Sequence, residues 1–210
     1  MDLLLVVDNS RGLADKQVGI AAIVPEVLGA FINPRCVDSG GGAAPTQPTT
    51  PSEAGLAGYE REVAPVRDLH IGIVTSSLGG LGSDACAGSA NSSENDGGRL
   101  VARVDTNGTS APTYQNLGFL AWDPDATLVP PGESDAGVLA SNLSSMVSGV
   151  GERGCGYEST LEAWYRFLVD PNPYESIQIS SQQAVLVGTD AALLAQRSAF
   201  SAPILWLSSS

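Results

Sequence analysis

The chain has 210 residues, 43% of them hydrophobic, with 24 Gly and 13 Pro, which predicts one folded domain (1–210) with long turn-rich loops rather than a disordered chain. Its 10 Lys and Arg against 23 Asp and Glu give a formal charge of −13, which repels phosphate backbones and anionic membrane surfaces and argues against nucleic acid as a partner. Three cysteines, Cys36, Cys86 and Cys155, are too sparse for a zinc site, and no apolar run approaches the length of a membrane span.

Residues 3–7 form an uninterrupted apolar run, Leu-Leu-Leu-Val-Val, which predicts a strand buried on both faces and central in a parallel sheet. The run is too short for a secretory h-region, lacks a basic flank and meets Asp8 directly. Helical spacing of Ile20, Ile23, Val24, Val27, Leu28 and Phe31 predicts a helix over 14–32 that packs one stripe on the sheet. Pro25 is expected to kink or divide it, and Asn33-Pro34 to end it. Glycines and Thr-Pro pairs make about 36–67 a long, mobile loop. Leu69, Ile71, Ile73 and Val74 mark a second buried strand that ends in Ser76-Ser77, and 79–98 reads as another loop. Residues 100–104 and 118–122 are strand candidates, antiparallel or at a sheet edge.

Further on, Leu139, Leu143, Met146 and Val147 share one face of a helix predicted over 138–150. Leu161, Trp164, Tyr165 and Leu168 do the same for 159–168, with Asp170-Pro171 as the stop. Thr189-Asp190 is a natural N-cap of a helix over 191–200, and 204–207 is a last apolar strand ending in serines. Strands separated by helices and long crossovers predict an α/β fold with a mainly parallel, doubly wound sheet. Ligands of such sheets sit at the carboxyl ends of strands, and Asp8, Asn9 and Ser10 occupy that kind of place.

An acid followed by hydroxyls at alternate positions, D-x-S-x-S, presents oxygens on one tight turn, a donor set suited to a hard cation such as Mg2+. Here Asp8 and Ser10 are present and Gly12 occupies the third place. The plainer reading of the same residues is an N-cap for the helix that follows.

Three longer stretches, DLLLVVDNSRGLADKQ, DLHIGIVTSSLGG and GCGYESTLEAWYRFL, resemble in that order the von Willebrand factor A-domain family, in its bacterial extracytoplasmic branch. The resemblance implies a Rossmann-like sheet and a non-enzymatic, protein-binding upper face with a metal-ion-dependent adhesion site. Of that site, Asp8 and Ser10 match. The threonine position falls near Cys155 or Gly156 and is unmatched, Glu158 is the nearest substitute, and Ser209 stands where the closing acid belongs. The expected site is therefore degenerate, with Mg2+ or another divalent cation as the ion it would take. The resemblance also implies an exported or cell-surface bacterial protein with strands beyond the 204–207 run, so that a chain lacking them would leave a sheet edge open to self-association. Cys86 and Cys155 both fall in loops expected on the upper face and are a candidate disulfide. Trp122 and Tyr157 are candidate aromatics of a binding face, whereas Trp164 and Trp206 read as core.

Rival readings from the residues are hydrolytic. Asp8, His70 and Ser110 follow the order of one serine-protease triad, yet His70 lies inside a predicted strand and Gly108-Thr109-Ser110-Ala111-Pro112 is shorter than that family's motif. A phosphatase using Asp8 as nucleophile would want a second acid where Ser10 stands. A metal-free scaffold that binds through shape and hydroxyls is the remaining alternative.

Overall fold

The structure is a computed structural model and describes residues 1–10, 12–80, 95–105, 107–152, 154 and 157–201. It is a mixed α/β arrangement in which, among the described residues, a three-stranded sheet carries helices on both faces. Strands β1 (Asp2–Val7) and β4 (Leu69–Thr75) pair in parallel, from Asp2 opposite His70 to Val7 opposite Thr75. Strand β5 (Phe119–Trp122) joins the other side of β4 antiparallel. Among the described residues β1 pairs only with β4, so the central place expected for β1 falls to β4. Burial follows that order: β4 is buried along almost its whole length, β1 only partly.

Helix α1 (Ala14–Ile32) has the predicted bounds and runs through Pro25 unbroken. A proline at 25 removes the donor that Ala21 O would receive in a regular helix. Ser144 Oγ, from the neighbouring helix α2 (Ala136–Gly149), donates to that carbonyl at 3.0 Å and satisfies it. The buried face of α1 is Gln17, Ala21, Val24, Leu28 and Ile32, whereas Ile20, Ile23 and Val27 are exposed, so the helix is rotated from the stripe expected. Leu139, Leu143, Met146 and Val147 of α2 are buried against it, as their spacing suggested. Asp135 caps α2 by accepting from Gly137 N and Val138 N.

The opposite face of the sheet is covered by α3 (Thr160–Leu168) and α4 (Ala191–Phe200), whose Phe167, Leu193 and Phe200 pack with Val74 and Phe119. Each such large side chain contributes roughly 1.5–3 kcal/mol on burial. The inward face of α3 is Ala163, Arg166 and Phe167; of the expected face Leu168 packs against the core, whereas Leu161, Trp164 and Tyr165 are exposed. Trp164 is thus a surface residue. Trp122, expected as an aromatic of a binding face, is buried instead, its indole N–H donating to Val66 O at 3.1 Å.

Residues 36–67 are tied down more than their composition suggests. The short strands β2 (Cys36–Val37) and β3 (Glu60–Arg61) pair antiparallel, and Arg61 donates to Asn33 Oδ1 and to the carbonyls of Pro34, Thr50 and Glu53. The candidate strand at 100–104 is an irregular segment pinned by Val101 N to Ile73 O and by a single bridge from Arg103 to Ser110. A hairpin of β6 (Ser176–Ser180) and β7 (Gln183–Val187) stands apart from the main sheet. Residues 204–207, Trp206 included, lie outside the described residues.

Candidate functional site

The parallel pairing of β1 and β4 brings both strand ends to one edge, so Asp8-Asn9-Ser10 and Ser76-Ser77 meet there. Ser76 N donates to Val7 O at 3.2 Å, continuing the ladder one step past the strands. A third segment arrives from the loop before α3. Ser159 N donates to Ser76 O at 2.8 Å, and Glu158 bridges to Ser77. These backbone bonds place Glu158 over the end of β4.

Ser76 Oγ is the centre of the cluster. It lies 3.4 Å from Asp8 Oδ1 and 3.1 Å from Asn9 Oδ1, makes a short hydrogen bond to Glu158 Oε2, and accepts from Asn9 N at 3.4 Å. A serine hydroxyl has one hydrogen to give, so three acceptor oxygens compete for it. Asp8 has a further partner, accepting from Ser10 N at 2.8 Å.

The two acids respond in opposite directions. Burial raises the Asp8 carboxyl, but bonds from the Ser10 backbone and side chain, Glu158 and Ser76 outweigh it and hold it below the ordinary carboxylate range. Desolvation and the neighbouring Asp8 charge push Glu158 up, against a smaller lowering by the Ser76 hydroxyl. A proton entering the site therefore settles on Glu158, from which it can be donated to Asp8.

The first loop is braced from below. Gln17 of α1 is buried, and its Nε2 donates to Asp8 O and Gly151 O, both at 2.9 Å. Gly12 N donates to Glu152 Oε1 at 2.8 Å. Gly12 has φ +92°, a backbone that favours glycine, so the position where the adhesion motif carries a second serine is a left-handed turn here. Gly154 is pressed on Asn9, whose Oδ1 would stand 2.8 Å from any added Cβ. Thr75, next in β4, donates to Asp96 Oδ2 at 2.6 Å, and Asp96 forms a two-pronged ion pair with Arg103 that reaches on to Val150 O.

The structure thus brings Asp8, Ser10 and Glu158 together, and adds Ser76 and Asn9 to them. Ser209, Cys86 and Cys155 lie outside the described residues. The third cysteine, Cys36, is buried and free. Tyr157 is 59% exposed beside Glu158. His70 lies opposite Asp2, at the far end of β1 from Asp8, about 20 Å away at ~3.3 Å per strand residue. Its Nδ1 is 2.6 Å from Phe200 O and its ring packs on Phe119, so the Asp8, His70 and Ser110 triad is not assembled.

All donors in the cluster are oxygens, as a hard divalent cation requires, and the two adjacent carboxylates supply its charge. No group of three or more His, Cys, Asp or Glu poised for a metal occurs among the described residues, so further ligands would be hydroxyls and water. No helix among the described residues is long and apolar enough to cross a membrane. Compared with protein-family models, curated proteins and solved structures, the chain has no match.

Proposed function

We propose that this chain is a non-enzymatic binding domain of the von Willebrand factor A kind, from an exported or surface protein of a bacterium. It engages a protein partner through the sheet edge bearing Asp8, Ser10, Ser76 and Glu158. In this reading β1, β4 and β5 belong to a doubly wound, mainly parallel sheet. The observation that carries it is the convergence of two carboxylates on one hydroxyl at the carboxyl ends of a parallel strand pair, the place where α/β folds take ligands.

Mg2+ or Mn2+ is the ion that Asp8 and Glu158 would hold, with the hydroxyls of Ser10 and Ser76 as neutral ligands. Bound there, it supplies an exchangeable coordination position for an oxygen of the partner. The chain's own residues do the rest. Ser76 orients Glu158 toward Asp8, Gln17 fixes the Asp8 loop, and exposed Tyr157 offers an aromatic contact at the rim. Gly12 contributes no side-chain oxygen, so this is a reduced form of the adhesion site, with the affinity of two carboxylates and no more.

Calorimetric titration with Mg2+ and Mn2+, on the native chain and on Asp8→Ala, tests the reading. Saturable binding that is lost in Asp8→Ala is expected. Binding unchanged in the variant would remove Asp8 as a ligand and the reading with it.

A further inference from the structure

A cavity of about 460 Å3 lies between Leu78, Gly80, Asn95 and Gly97, the N-cap of α4 and strand β6, within the size range of small-ligand sites. Two arginines share its wall. Arg166 is 5% exposed; its Nε donates to Gly97 O at 2.6 Å, and its Nη2 to Tyr174 O at 2.6 Å and Asp190 Oδ2 at 3.3 Å. Its guanidinium carbon stands 4.0 Å from the centre of the Tyr174 ring, and its Nη1 is buried without an acceptor. Arg99 reaches the same Asp190 carboxylate through Nε alone, at 3.1 and 2.9 Å. Its side chain is 45% exposed, and none of the described residues accepts from its two terminal nitrogens.

Asp190 also caps α4 by accepting from Leu193 N, so one carboxylate serves two guanidinium groups and a helix end. Donors are left over at Arg99, in the planar form that matches a carboxylate, although with Glu175 the formal charges of the lining balance. Leu78, Ile177 and Ile179 make other parts of the wall apolar, and Ile179 is 58% exposed. Glu175 lines the cavity too, with its carboxylate over Gly188, and opposes a doubly charged phosphate more than a single carboxylate.

We infer that this cavity is a second ligand site, which takes a carboxylate carried on an apolar body. The carboxylate oxygens accept from the terminal nitrogens of Arg99, Arg166 adds its charge from behind, and the body lies against Ile177 and Ile179. Such a carboxylate comes either from a free branched-chain acid or from the C terminus of an extended peptide, which β6 can take up because it pairs only with β7 among the described residues. The site is separate from the Asp8 cluster and does not rest on the proposed function.

The test is calorimetric titration of the full chain with isocaproate and isocaproamide, and with acetyl-Val-Ile-Val bearing a free or an amidated C terminus. Acids are expected to bind, each at least about tenfold more tightly than its amide. Arg99→Gln, chosen because Arg166 is a tie within the fold, should weaken acid binding about tenfold in a chain that still melts cooperatively, at a temperature lowered by the lost pairing with Asp190. Glu175→Gln should strengthen it roughly two- to threefold, and Asp8→Ala should leave it alone. Tighter binding of the peptide acid than of isocaproate identifies the peptide source, and equal affinities the small acid. Acid and amide binding alike, neither acid binding at about 10 mM, or an unaltered affinity in Arg99→Gln would overturn the inference.

Discussion

Asp8 and Asp123 each stand one residue beyond a strand, after LLLVV and after FLAW, yet the two acids live differently. Asp123 is 2% exposed and accepts from Thr127 N and Oγ1, Leu128 N and Gly132 N at 2.8 to 3.2 Å. Burial would raise its carboxyl, but those donors outweigh it and hold the group ionised. Its loop has folded back to feed it. Asp8 is half-buried, and shares the Ser76 hydroxyl with Glu158 and Asn9. An acid at a strand end is structural when its own loop satisfies it. It becomes a binding candidate when a second acid competes for the same donor.

That contrast can be broken most forcefully at Asp123. Asp123→Ala removes the buried carboxylate that three backbone N–H groups of its half-exposed loop fold back to meet, and should lower stability by about 2 kcal/mol in chemical denaturation. Asp8→Ala removes fewer satisfied bonds and should cost about 1 kcal/mol without metal; equal losses at the two positions would erase the distinction. Gln17→Leu cuts the two bonds tying Asp8 O to Gly151 O and should also cost about 1 kcal/mol, with weaker cation binding as the sign that the first loop has shifted.

The smallest effect concerns pH. The Asp8 carboxyl is lowered, so its contribution is present above its ordinary value of 3.8 and is lost as pH falls through the depressed value. The Glu158 carboxyl is raised, so its contribution is full below its ordinary value of 4.5 and is lost as pH rises through the raised value. Glu158→Gln should therefore flatten the decline in melting temperature from pH 4.5 upward and melt slightly higher than the native chain at neutral pH. Saturating Mg2+ should reverse that order by stabilising only the native chain. A variant less stable than the native chain at neutral pH without metal would contradict the acid-pair description.

Much of the fold was legible. The bounds of α1 and α4 follow from the Asn33-Pro34 stop and the Asp190 cap, and β1 and β4 from their apolar runs. Helix faces were harder. On α3 the inward residues include Arg166, which an apolar stripe cannot announce, and its burial depends on the carbonyl of Tyr174 past the helix end and on that of Gly97, 69 residues away. The β6–β7 hairpin turns on Ser181 and Gln182, both at positive φ, without the Asn-Gly pair that marks such turns. Alternation of Ile177 and Ile179, opposite Leu186 and Ala184, was the available signal. At the site, Asp8 and Ser10 were readable from the motif and Glu158 only through the family resemblance, whereas Ser76 was visible as a hydroxyl ending β4 and not as a site residue. Glu158 reaches them only through long-range pairing with Ser76 and Ser77, which no local pattern encodes.

The most direct test of the acid pair as a cation site is selective broadening of backbone amide resonances by substoichiometric Mn2+. Broadening centred on Ser10, Ser76 and Ser159, and abolished in Asp8→Ala, is the expected result. Broadening centred instead on the exposed acids Asp125 or Asp135, or spread evenly over the surface, would contradict it.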